Sequence, residues 1–473
     1  MRAMILDEHD SSAMNSRKRV DFAWVIVGVS FMTLGLTYGF MYCFSVFFVA
    51  LLKEFHWSRS LGAGAYSLFL IVSHLVGPLV GRMVDHFGPR RVIFLGCLVV
   101  ALGITLSSLI QTWWQFYLFF GVVTAVGIAG TGWVTNTTLI HYWFREKRGL
   151  PMGIISAGIG FGVLLCVPMA QFFIDRVGWR VTYRIMASAI PGVIALMAIL
   201  FLRRPPQFSS SGLANQEIQS SKPKNHIAVS QELTRSAVPS SVFENGVKEH
   251  GSGSTLSKFR PSGPGVEGLT SPRWTIRQVM SIRQFWILFF AFLLGNLCIH
   301  TMVTHQVAFF VDRGTDALHA SYFVGLVGFA SMGAKIFLGV LSDRVGRKGA
   351  YIVGISVGVC GVLSLIVFNY SPSSILPYVY AFFFAMGYAA TAVLPPVITG
   401  DLSEGKAFAR VFGTLTIANG LGAALGAWVA GFIHDQVKSY LPAFVLVIAC
   451  FLLSAYLIGK ATTQEVKEVS AIR

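Results

Sequence analysis

The sequence predicts an all-α membrane protein of twelve transmembrane helices, arranged as two pseudo-symmetric six-helix bundles. Three observations carry that expectation. The 473-residue chain is 54% hydrophobic and only 12% charged, with a mean hydropathy of +0.65, far outside the range of soluble domains. Twelve apolar runs each approach the roughly 20 residues that a membrane helix needs. One string also occurs twice, 258 residues apart, each time at the end of an apolar run: Gly81-Arg-Met-Val-Asp85-His-Phe-Gly88-Pro-Arg90-Arg91 and Gly339-Val-Leu-Ser-Asp343-Arg344-Val-Gly346-Arg347-Lys348.

The first 20 residues are polar, and the first apolar run, 22–51, is too long for the core of a cleavable signal peptide. Residues 1–21 therefore read as a tail and 22–51 as the first helix. Runs at 61–84, 91–110, 115–139, 150–174 and 182–202 complete an N-terminal bundle over 22–203. Residues 204–283 read as a connector. Most of it is rich in Ser, Gly, Asn, Lys and Pro without apolar periodicity, a composition expected to be largely disordered. Its end, 274–283, alternates apolar and basic residues in a way that suits a short interfacial helix. Runs at 284–311, 319–341, 350–369, 376–398, 408–433 and 441–459 build a C-terminal bundle over 284–460, followed by a tail at 461–473. Several runs are glycine-rich enough to be broken helices.

A net charge of +16 raises the question of a nucleic-acid partner, but the cations sort by side of the membrane. Of the 37 Lys and Arg residues, 29 lie in the termini and the even-to-odd loops or at the span edges beside them, 7 lie in the odd-to-even loops or at the span edges beside them, and Lys335 alone lies deeper inside a span. The positive-inside rule puts both termini and the connector in the cytoplasm, so no nucleic-acid partner is expected. A bacterial inner membrane is the expected location, and a monomer suffices for the architecture. The six cysteines stand singly in apolar spans with no CxxC spacing, and read as small buried side chains rather than disulfides or metal ligands. No cofactor is expected. Small residues recur at four-residue spacing as Gly149, Gly153 and Ala157 in the fifth run and Gly422, Gly426 and Ala430 in the eleventh, which predicts close helix packing.

Lys335 is the one permanent charge placed within a span, and no Asp or Glu is expected near the midplane. A charge in a bilayer costs about 2.5 to 3.5 kcal/mol on insertion scales, so it is normally paired or functional. Without a carboxylate to pair with, its natural counter-ion is an anionic ligand. Ser331, four residues earlier, shares its helix face. The alternative is snorkelling: Lys335 lies roughly 12 Å along the helix from Asp343, within reach of water for a long side chain. His305 could line the same cavity and titrate near neutral pH, or be an ordinary hydrogen-bonded helix histidine. Tyr38 and Tyr42 in the first helix and Asn136 in the fourth could donate to a small polar ligand, or serve as interhelical contacts.

The duplicated string resembles the loop between the second and third helices of each half in the major facilitator superfamily. The resemblance implies a gating latch at Gly81, Asp85, Gly88, Arg90 and Arg91 and at Gly339, Asp343, Arg344, Gly346 and Arg347. There each carboxylate would face cations and the positive end of a neighbouring helix. In the first copy His86 stands where a permanent cation is usual. The stretch Trp143-Phe144-Arg145-Glu146-Lys147-Arg148-Gly149-Leu150-Pro151-Met152-Gly153, followed by Ser156-Ala157-Gly158 and Gly162, is similar to the signature of the monocarboxylate transporter and oxalate/formate antiporter families. Asp21 with Trp24, and Gln284-Phe285-Trp286, fit the same signature. These families move small carboxylates, and Lys335 falls where their helix-eight arginine binds the substrate carboxylate. Lysine offers a point charge in place of a planar fork. Ser331 stands at the acidic partner of animal monocarboxylate transporters and Tyr42 at their helix-one lysine, so their proton relay does not carry over. The second cation of oxalate exchangers has no counterpart, since Asn419 stands in the eleventh span.

The expectation is thus a transporter, not an enzyme, for a small organic monoanion. It works by alternating access with proton symport or anion exchange, with Lys335, Tyr38, Tyr42, Asn136, His305 and Ser331 at the substrate. An exporter of amphiphilic drugs or other metabolites, and a non-transporting sensor of the same fold, are the alternatives.

Overall fold

A computed structural model describes residues 2–144, 149–202, 280–403 and 408–461. The expected disorder of the connector, most of the interfacial helix at 274–283, the basic loop 145–148 and the C-terminal tail lie outside the described residues, as do the side chains of the N-terminal tail, Asp21 included.

The described residues are helical, and eleven helices are long and apolar enough to cross a membrane. In chain order they are α1 (Phe22–Phe55), α2 (Arg59–Phe87), α3 (Pro89–Ser107), α4 (Trp113–Trp143), the long Leu150–Phe201 helix, α7 (Arg283–Asp312), α8 (Ala317–Val345), α9 (Arg347–Tyr370), α10 (Leu376–Gly400), α11 (Thr414–Val437) and α12 (Leu441–Lys460). The long helix is interrupted at Gly178, whose φ of 80° and ψ of 160° are not helical. It therefore makes two spans, α5 over 150–177 and α6 over 179–201, and the twelve expected helices are present. Two boundaries move. The first helix runs on to Phe55 and the second begins at Arg59, so Lys53 and Arg59 belong to helices rather than to a loop.

Within lipid every backbone polar group must find a partner inside the protein, and helices achieve this by themselves. Their ends need help. Ser58 caps α2 by accepting from the Leu61 N–H at 3.2 Å. Asp316 caps α8 with bonds from the Leu318 and His319 N–H groups at 3.0 and 3.3 Å; those backbone donors, His319 first, hold its carboxyl below the usual range. The duplicated string makes the same turn in both bundles. Gly88 ends α2 and opens α3 at φ 83°, and Gly346 ends α8 and opens α9 at φ 82°. Only glycine adopts that conformation without strain. The glycine-rich fourth run is broken, as its composition allowed: a π-helical stretch spans Tyr117–Thr124 and the helix is interrupted at Gly132.

The two bundles repeat one packing scheme. In the first, α1 lies so close to α5 that a Cβ on Gly162 would sit 1.8 Å from the Gly35 carbonyl oxygen. In the second, α7 lies on α11, and a Cβ on Gly426 would sit 2.1 Å from the Leu297 oxygen. Bare backbone at these positions permits the approach that packing in lipid requires. The eleventh-run stripe thus packs as expected. The fifth-run stripe does not: a Cβ on Gly153 would meet nothing within 4 Å, and the contact is made by Gly158 and Gly162 instead. Five of the cysteines are buried as expected, whereas Cys360 is exposed on α9.

Candidate substrate site

Lys335 lies about 27 Å from one end of α8 and about 15 Å from the other at 1.5 Å per residue, well inside the span. It is 7% exposed. Its Nζ lies 3.5 Å from the Ser156 carbonyl oxygen of α5, a long and weak contact. It also stands 5.1 Å from the centre of the Tyr388 ring of α10, within cation–π range. Among the described residues no carboxylate pairs with it. An ammonium has three donors, and here one is weakly used. Burial of a charge so poorly compensated is costly unless an anion completes it.

Tyr42 of α1 donates to the Tyr388 hydroxyl at 2.8 Å, so the Tyr388 proton is free to point elsewhere. Tyr388 thereby joins the two bundles and stands over the Lys335 ammonium. The sequence reading passed over it, although a tyrosine deep in an apolar run, like Tyr38 and Tyr42, was the signal. Tyr38 lies one turn from Tyr42, against the α4 break: its hydroxyl is 3.8 Å from where a Cβ on Gly132 would be.

The other expected site residues are placed differently. Ser331 is fully buried and donates to the Gly328 oxygen at 2.7 Å, one turn from Lys335. Its proton is spent, and it packs where α8 crosses α5 at Gly160. Asn136 spends its amide donors on the Thr131 and Gly132 oxygens at 2.8 and 2.9 Å, mending the α4 break. What remains is an acceptor oxygen, which does not attract a carboxylate. His305 does not join Lys335. It lies about 10 Å from the Asp312 end of α7, with Nδ1 3.0 Å from the Tyr440 hydroxyl and Nε2 2.8 Å from the Ala427 oxygen. Both ring nitrogens are engaged, so the cavity role expected for it is replaced by an interhelical one.

At that end of the molecule the bundles are clamped together by residues the sequence reading missed. Asp435 of α11 accepts the backbone N–H groups of Arg59 and Ser60, each at 2.8 Å, and so caps α2 from across the interface. The Arg59 guanidinium pairs with Asp312 at 2.8 Å and bonds the Tyr440 hydroxyl. Deeper in, Ser67 donates to the Ala424 oxygen at 2.7 Å. The signal was opposite charges at the ends of spans on one side of the chain's topology: Arg59, Asp312 and Asp435.

The opposite end carries the duplicated loops, where the following bonds among the described residues stay within one bundle. Tyr142 donates to Asp85 at 3.2 Å, Arg90 to the Ile199 oxygen at 2.9 Å, and Arg347 to Asp343 at 2.7 Å. Asp85, Arg91, Asp343 and Arg344 are exposed. A Cβ on Gly77, Gly153, Gly333 or Gly339 would meet nothing within 4 Å, and one on Gly81 only Val134 at 4.0 Å. Between the clamp and these loops, Lys335 of α8 and Tyr388 of α10 meet α5 and α1 across the interface.

Comparison with known proteins gives this geometry a family. Human monocarboxylate transporter 2 is 24% identical over 432 residues, covering 89% of this chain and 81% of its own. Bovine monocarboxylate transporter 13 is 24% identical over 434 residues, covering 92% and 87%. The crystal structure of a D-xylose–proton symporter superposes with a TM-score of 0.67 at 14% identity, covering 94% of this chain and 99% of that one, which shows the shared fold. The profile of the Major Facilitator Superfamily matches residues 30–403. The chain is a multi-pass membrane protein and belongs to the Major Facilitator Superfamily.

Proposed function

We propose that this protein is a secondary transporter of a small organic monocarboxylate, working by alternating access with proton symport or anion exchange. The observation that carries the reading is Lys335, buried between the bundles without a carboxylate among the described residues. Its similarity to monocarboxylate transporters in two species supports the same substrate class. The substrate carboxylate would sit on the Lys335 ammonium and take the free Tyr388 proton, with Tyr42 fixing the Tyr388 hydroxyl. Tyr38 would line the adjoining wall.

The cation distribution puts the termini, the 204–283 connector and the duplicated loops in the cytoplasm, with the connector as a tether between bundles 22–203 and 284–460. On that orientation the clamp around Arg59 closes the outer side, and the site opens inward. The Asp85 and Asp343 loops are then in their released form and would latch when the cavity faces out. An empty, charged Lys335 opposes closure of the inner side around it, because desolvation leaves its charge uncompensated. A bound carboxylate cancels that charge and lowers the barrier, which ties movement to cargo.

The test is uptake of labelled small carboxylates into liposomes carrying the purified protein, with and without an inward proton gradient. Uptake is expected, and Lys335→Gln is expected to reduce it by at least a hundred-fold. Normal uptake by Lys335→Gln would overturn the site. No uptake or counterflow of any monocarboxylate would overturn the substrate class.

A further inference from the structure

Beside the anion site, Tyr66 of α2 and His300 and Thr304 of α7 carry polar atoms that find no partner among the described residues. Tyr66 Oη, His300 Nδ1 and Thr304 Oγ1 are all buried and unbonded. Tyr66 and Thr304 are fully buried and His300 is 8% exposed. His300 and Thr304 are one turn apart on α7 and so share a face. The Tyr66 and His300 rings stand 6.1 Å apart across the interface between the bundles. Tyr66 is fixed from behind by stacking on Phe44 at 4.5 Å and Phe69 at 5.8 Å, so its hydroxyl cannot swing away to find another partner. Buried polar groups are almost always satisfied, and a facing pair of orphans with a third one turn along α7 points to something polar that binds there. Phe44, on which Tyr66 stacks, is two residues along α1 from Tyr42, whose hydroxyl bonds Tyr388 beside Lys335, so Tyr66 brings the trio to the neighbourhood of the Lys335 site.

We propose that Tyr66, His300 and Thr304 form a second subsite, which takes an uncharged hydrogen-bonding group of the substrate remote from its carboxylate. This rests on the reading of Lys335 as the carboxylate site. Two hydroxyls and an imidazole offer both donors and acceptors but no permanent charge. They suit a hydroxyl or carbonyl rather than a second carboxylate. A site built to bond such a group discriminates against the analogue that lacks it, because its buried polar atoms are then left unpaired. The substrate is therefore a hydroxy- or oxo-acid with its polar group away from the carboxylate, not a plain alkyl acid. Because the two sides of the subsite come from different bundles, filling it also favours the state in which α2 and α7 are together.

Calorimetric titration of the purified full chain with matched acids tests this: butanoate and 4-hydroxybutanoate, hexanoate and 6-hydroxyhexanoate, octanoate and 8-hydroxyoctanoate. At one chain length the hydroxy acid is expected to bind at least ten-fold tighter than its alkyl partner. The near-isosteric Tyr66→Phe and Thr304→Val should each shrink that ratio at least three-fold while leaving the alkyl Kd within two-fold. Lys335→Gln should weaken both members together. A ratio near one at every length, with binding that still depends on Lys335, overturns the subsite and leaves the anion site standing. So does a ratio that neither Tyr66→Phe nor Thr304→Val moves, as would follow if buried water satisfies the trio. Binding of no acid, or binding that Lys335→Gln leaves intact, overturns both.

Discussion

The two ends of this molecule are held by different chemistry. At the clamped end, contacts cross between the bundles: Asp435 caps α2 through two backbone N–H groups, Arg59 pairs with Asp312, and Ser67 bonds the Ala424 oxygen. At the loop end the bonds of Asp85 and Asp343 stay inside their own bundles. Yet the clamp is made of a few polar groups, each worth about 1 to 3 kcal/mol net, whereas each bundle is held by close backbone packing of α1 on α5 and α7 on α11. The difference teaches where the molecule can move. Each bundle is held by bare-backbone contact along those helix pairs; the interface has such contacts too, at Gly160 with Gly328 and at Gly431 with Arg59, but its polar contacts can be exchanged for water at small cost and are the part that can open and re-form.

The largest expected effect comes from breaking the rigid element. Gly162→Val places a side chain where a Cβ already falls 1.8 Å from the Gly35 oxygen, a backbone atom that cannot step aside. Overpacking of this kind costs about 3 kcal/mol or more, and the thermal midpoint of the purified protein should fall by on the order of 10 °C. Gly153→Val at the loop end, where a Cβ meets nothing within 4 Å, should leave the midpoint within about 2 °C. Equal losses at the two positions would show that the bundles are not the rigid units of this fold.

Asp435→Ala attacks the clamp itself. It strands the Arg59 and Ser60 N–H groups and removes the carboxylate that caps α2 from across the interface. Loss of bonds to a charged acceptor is worth about 1.5 to 3 kcal/mol, so the clamped state should lose about ten- to a hundred-fold in population, with the fold intact. The measurement is the rate of maleimide labelling of Ser67→Cys, in a background without the native cysteines, by an impermeant reagent added from the clamped side. Position 67 is covered now, bonded to α11, and faster labelling in Asp435→Ala reads the opening. An unchanged rate would mean that the clamp does not hold the bundles together.

The sequence carried the architecture well because the bilayer imposes it. Twelve apolar runs and a duplicated turn follow from length, hydropathy and the need for glycine at positive φ, and Gly88 and Gly346 take up the same conformation. It carried the site less well. Lys335 stood out because charge in lipid is costly, but what surrounds it depends on which faces of α1, α5, α8 and α10 meet, and no local pattern encodes that. Tyr388 was hidden among other aromatics for this reason. His305 misled because a histidine in a span looks functional until its neighbours, Tyr440 and the Ala427 oxygen, are seen to satisfy it. The clamp was overlooked because ion pairs between segments far apart in the chain, such as Arg59 with Asp312, leave no periodic trace. Asn136 shows the same limit in miniature: its donors serve a helix break that only the backbone reveals.

The smallest effect on the clamped state is expected at the opposite end, and it sharpens the contrast most. Asp343 is bonded to Arg347 one turn away, and its side chain is 72% exposed. An exposed pair of this kind contributes at most about 1 kcal/mol and often nothing. Asp343→Asn should therefore leave the thermal midpoint within about 2 °C and the Ser67→Cys labelling rate of the clamped state within two-fold of its starting value. If the carboxylate acts only once the loop end closes, its loss raises the energy of that other state alone. Exchange of labelled substrate, which visits both states in every cycle, should then slow by about ten-fold while equilibrium binding is unchanged. A carboxylate that mattered equally in both states would lower binding and exchange together. One that mattered in neither would leave exchange untouched, and the duplicated string would be no more than a shared turn.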